Sequence, residues 1–204
     1  MAKRKINSRG YSPRKVDTRE VKQRFLIVCE GSKTEPNYFR SFRVPKNVVE
    51  VDVHGLGEDP SRLVRSATDL KNKDGDDYDQ IWCVFDRDSF PLENFNNAIS
   101  SARSQGFSVA YSNEAFELWY ILHFEYLNTG IPRKDYIRKL SLLLGKKYEK
   151  NSETIYNELL DKQPNAIRNA EKLLTEYDPH VPAKDNPSTT VHLLVQELNR
   201  FIQK

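Results

Sequence analysis

The sequence predicts an α/β fold: a parallel-sheet core with helices on both faces and a helical C-terminal part. Three observations predict it. Two apolar runs, Phe25-Leu26-Ile27-Val28-Cys29 and Ile81-Trp82-Cys83-Val84-Phe85, have the length and composition of strands buried on both faces. Stretches of helical period alternate with strand-like runs, giving the order β-α-β-α-β-α-β, which is that of a parallel sheet with right-handed crossovers. From Glu114 onward the strand signals stop and helical ones continue.

The first strand ends at Cys29, with Glu30-Gly31 just beyond it. Thr34-Glu35-Pro36 opens a helix over 34–42, with Thr34 as its cap and Pro36 in the first turn, where a missing N–H costs nothing. Residues 48–54 alternate as a second strand. The Gly-, Asp- and Pro-containing loop 55–60 then opens a helix over 61–71, whose Leu63, Val64, Ala67 and Leu70 share one face. An acidic connection, 73–79, leads into the strand 80–85. A helix over 92–105 stops at Gly106, ahead of a short strand over 108–112. Five more helices are expected over 115–126, 132–144, 152–160, 166–177 and 189–202, covering the sheet or forming a cap beside its crevice. The loops between them are too short to separate a domain, so 24–204 is expected to be a single domain preceded by an arm, 1–23.

The arm carries the charge. The first 24 residues hold nine basic side chains against two acidic ones, a net +7, and the remaining chain carries −4. Lys3, Arg4, Lys5, Arg9, Arg14 and Lys15 suit contacts to phosphates, each of which releases counterions. A solubilising tail has the same composition. No run approaches the roughly 18 apolar residues of a membrane span, and the start of the chain leads into polar sequence, so a cytoplasmic protein without a membrane partner is expected. Cys29 and Cys83 lie inside the apolar runs as small hydrophobes, with no neighbouring Cys or His to make a zinc site.

The chemistry sits at the strand ends. In an open parallel sheet the carboxyl ends of the strands face the ligand crevice, so Glu30, Asp86 and Asp88 are placed to converge on one cation. Their hard oxygens suit Mg²⁺ or Mn²⁺. In an extended segment Asp86 and Asp88 lean to one side and Arg87 to the other; acids after strands also cap the next helix. Gly31-Ser32-Lys33-Thr34 lacks the earlier glycine of a P-loop, which excludes that class of ATPase, but Lys33 can still meet a phosphate as a point charge. Glu117 is the one acid of a stretch, 115–124, that is apolar nearly all round. A buried carboxylate needs a cation, so Glu117 is expected to hold either metal or a basic partner. Glu114 is expected to favour the dipole of that helix. His123 and His192 read as hydrogen-bonded core histidines and His54 as the end of the second strand.

Four strings carry a resemblance: residues 28–39, Phe85-Asp86-Arg87-Asp88, residues 112–124 apart from position 114, and Asn186-Pro187-Ser188-Thr189-Thr190. They resemble the RloB family over most of the chain from Arg24 onward, with Glu114 standing where that family leads one to expect Pro. The resemblance implies a Toprim-like domain, the catalytic fold of topoisomerases, bacterial primases and overcoming-lysogenisation-type nucleases. It implies a general base or acid at Glu30, divalent metal at Asp86 and Asp88, and a setting in phage defence beside restriction-modification and abortive-infection genes. The expected function is metal-dependent phosphodiester hydrolysis of nucleic acid. One or two Mg²⁺ ions would be held by Asp86, Asp88 and Glu117, with Lys33 and Arg87 neutralising the phosphate. A non-catalytic nucleic-acid-binding or regulatory module of a defence complex, with a protein partner, and a nucleotidyl transferase are the alternatives.

Overall fold

Alternation along the strands decides the architecture. The computed structural model describes residues 22–73, 78–88 and 90–202. The basic side chains Lys3, Arg4, Lys5, Arg9, Arg14 and Lys15 lie outside the described residues. β1 (Gln23–Cys29) sends Phe25, Ile27 and Cys29 to one face and Leu26 and Val28 to the other, and all five are fully buried. A strand apolar on both faces requires a layer of helices above and below it.

The sheet adds β2 (Val49–Gly55), β3 (Gln80–Asp86), β4 (Ser108–Asn113) and β5 (Ser188–Thr189) in the order β2-β1-β3-β4-β5. All neighbours are parallel except β5, which runs antiparallel to β4 at the edge. The helices are α1 (Thr34–Arg40), α2 (Pro60–Lys73), α3 (Leu92–Ser104), α4 (Glu117–Ile121), α5 (Arg133–Leu144), α6 (Ile155–Leu159), α7 (Gln163–Leu174) and α8 (Val191–Asn199). Leu63 and Val64 of α2 and Phe95 and Ile99 of α3 cover Leu26, Val28, Cys83 and Phe85 on one face. On the other, α1, α4, α7 and α8 cover Phe25, Ile27, Trp82 and Val84. Tyr38 of α1 ties this layer together, with its ring 5.9 Å from Phe116, 5.6 Å from Tyr120 and 5.3 Å from Tyr156. Among the described residues no helix is long and apolar enough to cross a membrane.

The strand order sets the crevice. The chain leaves β1 for β2 on one side and β3 for β4 on the other, so the carboxyl ends of β1 and β3 flank the point where the winding reverses.

Three local expectations are corrected. Thr34 does not cap α1: Lys33 holds that position without a side-chain cap, and the Thr34 hydroxyl instead donates to the Lys150 carbonyl at 2.8 Å. The helix expected over 115–126 shrinks to α4, because after Ile121 the apolar chain tightens into short turns such as His123 N–H to Tyr120 O, 3.2 Å. The last helix starts at Val191, since Ser188 and Thr189 are drawn into the sheet as β5. The Thr189 and Thr190 hydroxyls donate to the carbonyls of Tyr111 and Val109 at 2.9 and 3.2 Å, which satisfies buried polar groups that a helix would have strained.

Candidate active site

The parallel register of β1 and β3 delivers the first two acids side by side. Cys29 pairs with Val84, and one residue later the Glu30 N–H continues the ladder to the Val84 carbonyl at 2.8 Å. The Glu30 side chain then turns across the gap, and its Oε2 accepts the Asp86 N–H at 2.8 Å. Asp86 is 5% exposed, and its Oδ2 accepts the Phe116 N–H at 3.0 Å. Beyond it the chain is not extended as expected. Asp88 has φ of +44°, a left-handed conformation that Asp tolerates better than bulkier residues, and its N–H reaches the Glu114 carbonyl at 3.2 Å. The two aspartates therefore share a side through a turn rather than through the pleat.

Two further acids come from helices. Glu117, at the start of α4, is 3% exposed and lies 3.4 Å from the Lys150 ammonium, with the Tyr148 hydroxyl at 3.5 Å. Glu35 was read in the sequence only as part of a helix start, yet it is 5% exposed, and its Oε2 has no hydrogen-bond partner among the described residues. Gly31 makes room for it. A Cβ on Gly31 would stand 2.0 Å from that oxygen, so any side chain here would turn the Glu35 carboxylate out of its place. The signal for Glu35 was the spacing Gly31 to Glu35: a glycine one turn ahead of an acid at a strand-to-helix junction.

Cations surround the acids. Arg133, the first residue of α5, contacts Asp88 through Nη1 and stands 3.9 Å from Asp86 through Nη2. A cation in a first helical turn opposes the helix dipole; its place beside two carboxylates supplies the reason, and that reversed charge was the available sequence signal. Lys150 is held over Glu117 by its own backbone, whose carbonyl accepts the Thr34 hydroxyl, and by Asn37, which donates to the next carbonyl, that of Asn151, at 3.3 Å. Gly31, Lys33, Glu35, Asp86, Glu117, Arg133 and Lys150 are among the residues lining a cavity of about 300 Å³. Arg87 does not line it. Its guanidinium turns toward Glu114, 3.8 Å away, and Glu114 also accepts a hydrogen bond from Asn186 at 3.3 Å. Glu114 thus serves Arg87 and Asn186 rather than the dipole of α4, which begins three residues later.

The electrostatics follow from crowding acids in a partly dry site. Burial pushes the Glu30 carboxyl up to about 7, with the charges of Glu35 and Asp88 adding to it and the Asp86 N–H and Arg133 opposing it. Glu35 is likewise raised to about 7 by burial and by the charge of Glu117. Asp86 is raised by burial and then by Glu35, Glu30 and Glu117. Burial works against the Arg133 charge, but its bond to Asp88 and the charges of Asp86, Asp88 and Glu117 outweigh that, and its pKa is raised. His123 lies elsewhere, in the core: its Nδ1 donates to the Trp119 carbonyl at 2.9 Å, and burial lowers its pKa to about 4. His192 is buried too. His54 pairs with Asp52 at 2.9 Å. Cys29 and Cys83 are buried free thiols.

A site of this composition gathers hard oxygen donors and carboxyls that hold a proton near neutral pH. Five carboxylates and an unpartnered buried carboxylate oxygen on Glu35 match the oxygen ligands that Mg²⁺ or Mn²⁺ takes. As they stand, no three His, Cys, Asp or Glu side chains among the described residues enclose a common ion position. Arg133 stands against Asp86 and Asp88, and Lys150 against Glu117. No curated protein and no solved structure matches the chain. The sequence model described as RloB-like protein matches residues 25–198, a span that holds both strand-end acids, Glu35, Glu117 and both cations, and the chain therefore belongs to the RloB-like family.

Proposed function

We propose that this site hydrolyses phosphodiester bonds of nucleic acid with the help of Mg²⁺ or Mn²⁺, on a Toprim-like core, in the setting of phage defence. The observation that carries the reading is the hydrogen bond from the Asp86 N–H to Glu30 at the β1–β3 crevice, which joins a proton-handling acid to a buried metal-type acid. Asp86 and Asp88, with Glu35 and Glu117 behind them, would hold the cation. When bound, it supplies Lewis-acid polarisation of the phosphate and stabilises the leaving oxygen.

The chain's own groups have separable tasks. Glu30, held through Oε2 by the Asp86 N–H, uses its other oxygen to take a proton from the attacking water or to give one to the leaving oxygen. Lys33, exposed at the cavity rim, meets a non-bridging phosphate oxygen as a point charge. Arg133 and Lys150, on the lining of the same cavity, neutralise charge on that group. In this reading Arg133 takes the part that the sequence had suggested for Arg87. The basic residues Lys3, Arg4, Lys5, Arg9, Arg14 and Lys15 would add contacts to phosphates along the strand.

The test is incubation of the purified chain with Mg²⁺ or Mn²⁺ and single-stranded DNA, duplex DNA, single-stranded RNA and transfer RNA, beside Asp86→Asn. Metal-dependent fragments from the wild type and none from the variant are expected. The non-catalytic reading is favoured by one observation, the Arg133 and Lys150 contacts that neutralise the acids. Nucleic acid bound intact at every metal concentration would decide for it.

A further inference from the structure

The acids at the strand ends differ in their partners, and of them Asp86 lines the cavity. Glu30 and Asp86 accept backbone N–H groups, which no ligand can displace without unwinding the site. Asp88 is met by a side chain instead, the Arg133 guanidinium, which also stands 3.9 Å from the Asp86 Oδ2 that accepts the Phe116 N–H. That side chain is 37% exposed and reaches in from the first residue of α5, so it can swing toward solvent without moving its helix. Glu35, which lines the same cavity as Arg133, keeps a buried carboxylate oxygen with no hydrogen-bond partner among the described residues. A guanidinium spanning two carboxylates neutralises them as a divalent ion would, but from outside the cluster and with fixed planar geometry.

We infer that Arg133 and the divalent cation are alternative occupants of the Asp86–Asp88 carboxylates, so that metal enters by displacing Arg133 and thereby frees it for the substrate phosphate. This rests on the metal-dependent reading of the site. It assigns Arg133 two states. With no metal it is the counter-ion that keeps the crowded acids together. With metal it leaves the aspartates and joins Lys33 at the cavity wall as a phosphate-binding group. Because two ligands that exclude one another each weaken the other's hold, removing the guanidinium strengthens metal binding.

The experiment measures Mn²⁺ affinity on the full chain by the paramagnetic resonance signal of the free ion, without substrate. Arg133→Gln, Arg133→Lys, Lys33→Gln and Asp86→Asn are compared with the wild type. Lys33→Gln removes the same charge from the cavity wall without touching the aspartates, and so reports the effect of net charge alone. Arg133→Gln is expected to bind Mn²⁺ about fivefold more tightly, the size of a partly exposed ion pair. Arg133→Lys should fall between it and the wild type, and Lys33→Gln should shift affinity less than twofold. Equal tightening by Arg133→Gln and Lys33→Gln would overturn the proposal, as would unchanged affinity in Arg133→Gln while Asp86→Asn still weakens binding. In both cases the metal-dependent reading survives. If neither wild type nor Arg133→Gln binds Mn²⁺, the proposal and that reading fall together.

Discussion

Glu30 and Asp86 leave the ends of β1 and β3, whereas Arg133 and Lys150 come from the start of α5 and from the loop ahead of α6. The two sets are fixed by different means. The strand-end acids inherit the sheet register and are pinned by backbone N–H groups at 2.8 and 3.0 Å. The cations reach in on long side chains that are 37% and 47% exposed. Rigid elements give a site its geometry, while long partly solvated side chains give it an adjustable charge. Changes to the strand half should therefore abolish function, and changes to the helical half should tune it.

The largest expected effect tests the strand half. Asp86→Asn keeps the shape and an oxygen for the Phe116 N–H while removing charge from a buried acid. Glu30→Gln keeps an oxygen for the Asp86 N–H but cannot handle a proton. Each should lower the proposed metal-dependent cleavage by about 10³-fold, for Glu30→Gln within the usual range for losing an acid–base group, with melting temperature retained. Steady-state cleavage rates and thermal melts on the same preparations check this. A tenfold or smaller loss in Glu30→Gln would remove that residue from proton transfer.

Gly31→Ala asks how tightly the strand half is built. The added Cβ would fall 2.0 Å from the Glu35 carboxylate, so that side chain must turn aside, at a cost of about 1 kcal/mol. Glu35→Ala clears that space. The double variant should then be more stable than the sum of the two single changes by about 1 kcal/mol. Urea unfolding of all four proteins measures the coupling. Strict additivity would mean that Glu35 points elsewhere.

The same contrast explains what the sequence disclosed. The strand half was legible because its signals are local: an apolar run, then an acid, then a glycine turn. The short strands, the buried cysteines and the pairing of Glu117 with either metal or a basic group could all be reasoned from neighbouring residues. The helical half was not. Which cation meets Glu117 depends on how 145–151 docks on α1 through the Thr34 and Asn37 side chains, more than 110 positions away in sequence. β5 was hidden for a similar reason, since two residues are too few for a period and their strand character comes from β4 beside them. Glu35 was missed because a first-turn acid ordinarily faces solvent and favours the helix dipole. Only the packing of Tyr38 against Phe116 and Tyr120 turns that turn of α1 inward.

Lys150→Met sharpens the comparison from the cationic side. The change keeps the backbone carbonyl that anchors Thr34 and removes the ammonium from Glu117. Losing the partner of a buried carboxylate can cost several kcal/mol, but this lysine is half exposed and its pair is screened, so about 1 kcal/mol is expected. Cleavage should fall less than tenfold. A loss as large as that of Asp86→Asn, measured under the same conditions, would erase the distinction between fixed acids and tuning cations.

The last effect is a pH slope, and it reads the burial of Glu35 together with the charge beside it. Burial, and then the charge of Glu117, raise Glu35 from 4.5 to about 7. Between those two values the folded protein holds a proton that the unfolded chain has released. Stability changes with pH in proportion to protons bound unfolded minus folded, which is negative here, so the Glu35 contribution weakens stability as pH rises through this window. The window is shared by an opposite contribution. His123, lowered from 6.5 to about 4, stays neutral in the fold while the unfolded chain takes up a proton, and so costs stability as pH falls. Comparing wild type with Glu35→Gln cancels the histidine. In chelator-containing buffer, the wild type should lose stability relative to Glu35→Gln from pH 5 to 7.5, by no more than about 1.4 kcal/mol per pH unit. Urea midpoints across that range measure it. Parallel curves would show that Glu35 ionises in the fold as it does in the unfolded chain, and neither its burial nor the charge of Glu117 would then be felt by its proton.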